Sequence, residues 1–533
     1  MCVMRKGLSI VLLLCLFFGL SACRDRGDSA EILGVDNVTL TVGDAFNPLT
    51  GITAVDARDG DITSRITVSG TVNMNVAGTY TLTYRVTGSD GNEISVTRTV
   101  TVLTEDGCGP NQRKVDGVCV DIEPSEIVIM HGATYEIDPF HPNFSGTQQL
   151  QRQNRQREVE ELYNVTIRYR SYPDNAPWGP SRVTAIIQSS VSGNHLADIY
   201  WSVSDWIQQL ARAEAIVPVD QYMNTIGVNV HADYRAVGTF KDNVYGFSSG
   251  MLTADSGLYY NADLVKSLGV ANPTQLFLDG EWTWSRFETW ATQVQAILDE
   301  DEFAIGGMPS YYVENMVPLN GGRLINMTLG RVAFHQAPAL ETYTFLKSLV
   351  EKDLWETAPS YDAGSPSWQA GKVAIHPGQL WFVTADNRWG GLNFELGFVP
   401  YPRADDFIGD HASPVSGVAL YHLASGMTPE REELVFRVWN ELQLWRTEQE
   451  LRDEFELTLL TRFDEEIYVE AYMMIFDKIY LEIINAIGIN PYTPDIGFRG
   501  QINAAIRLPD RDPRTVVDSI RPIYQAALDD YLE

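Results

Sequence analysis

Basic residues are scarce in this sequence. Its 533 residues carry 39 Lys and Arg against 70 Asp and Glu, a net charge of −31. So acidic a chain is repelled by DNA, RNA and anionic headgroups, and nucleic acid is not an expected partner. The apolar run Leu8 to Leu20 is too short for a helix crossing ~30 Å of hydrocarbon, which needs about 20 residues. Catalytic signatures are missing as well. The chain has no Gly-x-Ser-x-Gly, no His-Glu-x-x-His, no P-loop and no paired-cysteine metal site. No eightfold strand–helix pattern suggests a barrel enzyme. No cofactor, metal or catalytic residue is therefore expected, although abundant carboxylates leave a glycosidase pair open. The composition, 44% hydrophobic, allows most of the chain to fold. Its length requires several domains, two to four by the usual size.

The N-terminus has the layout of an export signal. Arg5 and Lys6 precede the apolar run, and Leu20-Ser21-Ala22-Cys23 ends it. This resembles the lipobox of bacterial lipoproteins. The resemblance implies cleavage after residue 22, a lipid on Cys23 and work outside the cytoplasm on a membrane surface. An ordinary secretory signal is the alternative. Removal of 1–22 takes Arg5 and Lys6 away, so the 39 basic residues become 37 against 70 acidic, a net −33.

Five cysteines are present. Cys2 and Cys15 leave with the signal, Cys23 is the lipid site, and Cys108 and Cys119 remain. In an exported protein that pair is expected as a disulfide. A metal needs four ligands, and no His or further Cys is near.

Residues 24–30 read as a polar spacer. Residues 31–104 alternate with period two. Tyr80, Leu82, Tyr84 and Val86 are followed, after Gly88–Asn92, by Ile94, Val96, Val100 and Val102, a hairpin pattern. Val38–Gly43, Ala54–Thr63, Ala77–Val86 and Asp90–Asn92 together resemble bacterial surface Ig-like modules. That implies a small all-β sandwich acting as a spacer. Asp56, Asp59 and Asp61 read as a capped turn, with Ca²⁺ binding as the alternative. Residues 105–123 form a stapled linker.

Residues 124–533 alternate strand and helix signals and are α/β. Glu126–Met130, Val165–Tyr169 and Ala197–Trp201 are buried-strand patterns. Ala197-Asp-Ile-Tyr, then Leu210-Ala-Arg-Ala-Glu-Ala-Ile-Val-Pro-Val-Asp220, then Lys241–Phe247, Trp282–Trp290, Trp368–Ile375 and Gly378–Trp381 follow in order. The set resembles the extracellular solute-binding proteins related to maltose-binding protein. Met130-His131 departs from that pattern, where an aromatic often stands.

The resemblance implies two α/β lobes joined by crossover strands, with ligand between them, hinge closure and delivery to an ABC permease. Crossovers are expected near Tyr245–Leu258, near Pro414–Leu420 and between Leu457 and Tyr468. The ligand is expected to be a carbohydrate, because Trp and Tyr stack on sugar faces while polar groups pair with hydroxyls. Trp201 and Asp205 follow the third strand, where relatives contact sugar, and Trp381 matches a stacking Trp of the opposite lobe. Trp206, His131, Tyr135 and, after Pro400, Arg403 complete the candidates, with Tyr401, Glu136 and Asp138 weaker. Trp284, Trp290, Trp355, Trp368, Trp439 and Trp445 read as packing residues. A monomer is expected. A surface sensor or adhesin, and a surface hydrolase or lyase, are the competing readings.

Overall fold

The computed structural model describes residues 30–533 except 106, 110, 111, 116, 122 and 386. The expected signal, spacer and Cys23 lipid site lie outside these residues. The described chain divides into two compact units, one ending at Pro124 and including Leu162–Asn164, the other made of Ser125–Glu161 and Val165–Glu533.

In the first unit a two-stranded hairpin, Gln112–Val115 with Val118–Asp121, follows a pair of sheets. Glu31–Leu33, Thr53–Asp56 and Gly60–Asp61 form one, while Val38–Thr41, Glu93–Leu103, Gly78–Thr87 and Thr67–Ser69 lie in that order in the other. The alternation has its expected consequence. Leu82, Tyr84 and Val86 pack with Val100 and Val102 in a core with Ile32, Ile52 and Ala54. Asp56 Oδ1 accepts from the Arg58 and Asp59 amides at 2.9 and 2.8 Å, and its Oδ2 from the Ser89 amide. Asp59 pairs with Arg65 at 2.7 Å, and Asp61 accepts from the Thr63 amide. These three carboxylates are thus committed to turn bonds and an ion pair. Cys108 and Cys119 are joined by a disulfide.

The second unit has two lobes, each built on a four-stranded sheet. In the first lobe the order is Val165–Ser171, Ser125–His131, Ile199–Val203, Ala419–Leu423. The first three strands are parallel and the last antiparallel. In the second lobe the order is Phe303–Ile305, Val373–Gln379, Ser256–Asn261, Leu396–Val399. Buried on both faces, these strands are apolar runs, as the 0% exposure of Ile375, Leu258 and Phe398 illustrates. One large core spans the second lobe, including Trp290, Trp368, Trp389 and Tyr472.

Three segments cross between lobes. The first runs from the Phe247–Tyr421 bridge to the Ser256–Asn261 strand. The second runs from Leu396–Val399 to Ala419–Leu423 and contains Ser413–Val415, paired with Ile479–Leu481. The third lies between helix Pro429–Leu442 and helix Glu448–Arg462. This corrects the expectation of Leu457–Tyr468. That stretch sits within the second lobe, where Leu459 and Phe463 join the core. A capping box at Thr447 and Glu450 starts the second helix and fixes the end of the crossing. The terminal helix Pro513–Leu532 packs on the second lobe through Val517 and Tyr524. Its end reaches the first lobe, where Asp530 pairs with Arg212 and Tyr531 meets the Phe240 ring at 5.3 Å.

Candidate functional site

Loops at the carboxyl ends of parallel strands carry exposed side chains, and ligands of open α/β sheets bind there. His131 ends the first strand of the first lobe and is 5% exposed. Burial pushes its imidazole down to about 4, and the charge of Arg182 adds to this. The ring is therefore neutral at physiological pH. It lies 4.5 Å from the Trp201 ring. Trp201 lies 5.8 Å from Trp178, which lies 4.7 Å from Trp206. Three tryptophans thus form one wall, with Trp178 51% exposed. Tyr135, on the short helix after the same strand, is also exposed.

Arg182 holds this wall from behind. Its guanidinium lies 4.1 Å from the Tyr172 ring, 4.9 Å from Trp178 and 5.6 Å from Trp201. Nη2 donates to the Pro177 carbonyl, which fixes the loop carrying Trp178. Two rings of the wall and the Tyr172 ring thus share one cation, an arrangement stronger when desolvated.

Asp205 closes the floor. Its Oδ1 accepts the Gly417 amide at 2.8 Å, and Ser204 Oγ accepts the Val418 amide at 3.0 Å. Gly417 has φ of +61°, a backbone shape that disfavours side chains. Burial raises the pKa of Asp205, opposed by the Gly417 hydrogen bond and by Arg499 across the cleft.

The second lobe supplies the facing wall. Helix Pro309–Met316 begins after strand Phe303–Ile305. Its Tyr311 stacks on Tyr361, and its hydroxyl meets that of Tyr492 at 2.9 Å. Arg499 forms a two-bond pair with Glu314, Nε–Oε1 at 2.6 Å and Nη2–Oε2 at 2.7 Å, and lies 4.6 Å from the Tyr311 ring. Burial opposes the charge on Arg499, and Glu314 more than offsets that, so its pKa rises further. Trp381 is 44% exposed, with Arg388 over its ring at 5.1 Å and Arg388 paired with Asp362.

The structure brings His131, Trp201, Trp206 and Asp205 to one wall and floor, and leaves Trp381 open on the other lobe. Arg403 lies apart. Its amide and carbonyl bond Trp282 and Trp284, and its Nη2 donates to Gly280. Tyr401 is 4% exposed and packs edge-on against Tyr312. Trp178, Arg182, Tyr311, Tyr361, Tyr492 and Arg499 were not anticipated. Pro309-Ser-Tyr311 after a short strand is a legible signal for one of them. Trp290, Trp355, Trp368 and Trp439 are buried, and Trp284 stacks on Phe345. Among the described residues, no group of three acidic, His or Cys side chains is arranged to hold a metal. No described helix is long and apolar enough to cross a membrane.

Two lobes, three crossings and an aromatic cleft with fixed polar groups give the architecture of a solute-binding protein. Residues 147–411 match the bacterial extracellular solute-binding protein family. Residues 30–102 match the Ig-like domain of bacterial surface proteins. The chain thus joins a domain matching the solute-binding family to a surface Ig-like domain that precedes it in sequence. Among solved structures it is similar to the GacH receptor of Streptomyces glaucescens, described with acarbose, at 16% identity and TM-score 0.53, over 76% of this chain and 99% of that one. It is similar to UgpB from Mycobacterium tuberculosis, solved with glycerophosphocholine, at 13% and 0.55, over 77% and 99%. A cyclic α-maltosyl-1,6-maltose binding protein from Arthrobacter globiformis matches at 14% and 0.54, over 76% and 100%. A search of curated protein sequences finds no match.

Proposed function

We propose that this protein is the substrate-binding component of an ABC importer, held by lipid on Cys23 at the outer face of the cell membrane, with an oligosaccharide as its solute. The observation that carries the reading is the cleft itself. Trp178, Trp201 and Trp206 would meet sugar C–H surfaces from one lobe and Trp381 from the other, with Asp205 and Arg499 at the floor for hydroxyls. The sugar ligands of GacH and of the Arthrobacter protein support it.

Binding energy goes into selecting the closed arrangement, since a ligand shifts a conformational equilibrium only by its differential affinity. The closed form is then what the permease recognises. No step requires a bond of the solute to break. The Ig-like unit acts as a spacer, so a chain lacking 31–104 keeps its affinity while import changes.

Isothermal titration with maltooligosaccharides, followed by chromatography of the recovered sugar, tests the reading. Saturable binding with the sugar recovered intact supports it. Sugar recovered cleaved contradicts it and returns a hydrolase.

A further inference from the structure

A second cavity of about 720 Å³ lies among the crossings and shares no lining residue with the aromatic cleft. Its walls come from both lobes. Arg152 and Arg235 belong to the first, Glu448 and Glu454 to the second, and Ser249–Gly250 and Gln443–Thr447 are themselves crossing segments. A hydrogen bond bridges the lobes at its edge, between His231 Nε2 and Glu448 Oε1 at 3.3 Å. Arg446 Nη2 reaches Gln148 Oε1 at 2.6 Å, tying the third crossing to the first lobe.

The charge of this cavity is unlike that of the chain. Acidic residues outnumber basic ones 70 to 39 overall, yet three arginines and a histidine line the cavity against two glutamates. Arg235 spends its guanidinium on the carbonyls of Val230, Met223 and Gly227. Arg152 spends only Nε, on the Thr147 carbonyl at 3.0 Å. Its terminal nitrogens are left for a guest, as is Nε of Arg446, whose Nη1 donates to the Leu444 and Trp445 carbonyls at 3.4 and 3.5 Å. Paired guanidinium donors fit the oxygens of a carboxylate or phosphate. Glu448, turned to His231, is already occupied.

We propose that this cavity is a second binding site, taking a compact polyanion such as a di- or tricarboxylate or a phosphate ester between Arg152 and Arg446, and that its occupancy is coupled to the cleft. The coupling follows from position. Walls on two lobes and two crossings cannot keep their spacing when the lobes rotate. A guest held in one arrangement therefore biases the other site, and the effect is reciprocal.

Citrate is the probe, titrated calorimetrically into the full chain at constant ionic strength, with sodium acetate as the control. One saturable site is expected, weakened at least tenfold in Arg446→Gln and in Arg152→Gln, and tightened several-fold in Glu454→Gln. Melting curves identify any variant that fails to fold, and Glu454→Gln keeps the test open in that case. Trp381→Ala should bind citrate like the wild type. Heat no greater than with acetate, or citrate binding lost in Trp381→Ala and kept in Arg446→Gln, overturns the site. Citrate binding stands apart from the sugar reading, since it needs no sugar. With both ligands in hand, saturating citrate should change oligosaccharide affinity at least threefold, and the sugar should change citrate affinity by the same factor. Unchanged affinities overturn the coupling.

Discussion

Asp205 Oδ1 and the Gly417 amide are joined by a hydrogen bond of 2.8 Å, so one carboxylate belongs both to the cleft floor and to a crossing segment. The same carboxylate feels Arg499 of the opposite lobe. Replacing Asp205 separates the two roles. Asp205→Asn keeps an acceptor for Gly417 and should leave the melting temperature close to wild type while weakening ligand binding about tenfold, near 1.4 kcal/mol. Asp205→Ala leaves the Gly417 amide unpaired and should also cost about 1–3 kcal/mol of stability. Denaturant unfolding and titration of both variants check this. Equal affinity in wild type and Asp205→Asn would remove Asp205 from the site.

The aromatic walls predict a different split. Trp381 is 44% exposed and Trp178 51%, so truncating either removes little core packing. Trp381→Ala and Trp178→Ala should each reduce affinity at least tenfold, the range of a buried interface aromatic at about 2 kcal/mol, with little loss of stability. Arg182→Met should reduce affinity by loosening Trp178 and Trp201, and should change tryptophan near-ultraviolet circular dichroism. An unchanged spectrum would mean that the cation does not position the rings.

Arg499 and Glu314 form a pair whose side chains are 16% and 8% exposed. Removing one partner strands the other. Arg499→Met should destabilise by about 3–5 kcal/mol, and the double change Arg499→Met with Glu314→Leu by much less. A double-mutant cycle measured by urea unfolding decides. Additive losses would show that the two groups do not act as a pair.

Glu482 gives a pH test. It is 3% exposed, with Oε1 bonded to the Ile484 amide at 3.0 Å and Oε2 without a partner. Burial pushes its carboxyl up from 4.5 to about 8. The raised value means that the folded form holds the proton longer than the unfolded chain. Its contribution to stability is therefore full below pH 4.5 and is lost as pH rises towards 8. Glu482→Gln should unfold at higher temperature than wild type at pH 8, with the gap closing near pH 4.5. A gap independent of pH would mean that Glu482 does not titrate in this window.

Much of the fold was legible because the signals were local. The alternation at Leu82, Tyr84 and Val86 specifies a half-buried strand, and apolar runs such as Glu126–Met130 specify buried ones. Trp201 and Asp205 were visible as side chains following a strand. The third crossing ends at Thr447, where the capping pair Thr447 and Glu450 starts a new helix, rather than between Leu457 and Tyr468. Arg499 and Tyr311 are 188 residues apart, and only folding brings their side chains together. Arg182 sits on a helix pattern where a cation reads as a solvated face. Its burial comes from Trp178 and Trp201, which lie on a loop and another strand.

The most direct test is the melting temperature of the full chain against a panel of mono- and oligosaccharides. A ligand at a hundred times its Kd stabilises the native state by about 2.7 kcal/mol, a shift that is easily read. The account predicts a rise with an oligosaccharide class that is clearly smaller in Trp381→Ala at the same ligand concentration. No rise with any sugar, alongside a rise with a peptide or another non-sugar solute, would contradict it.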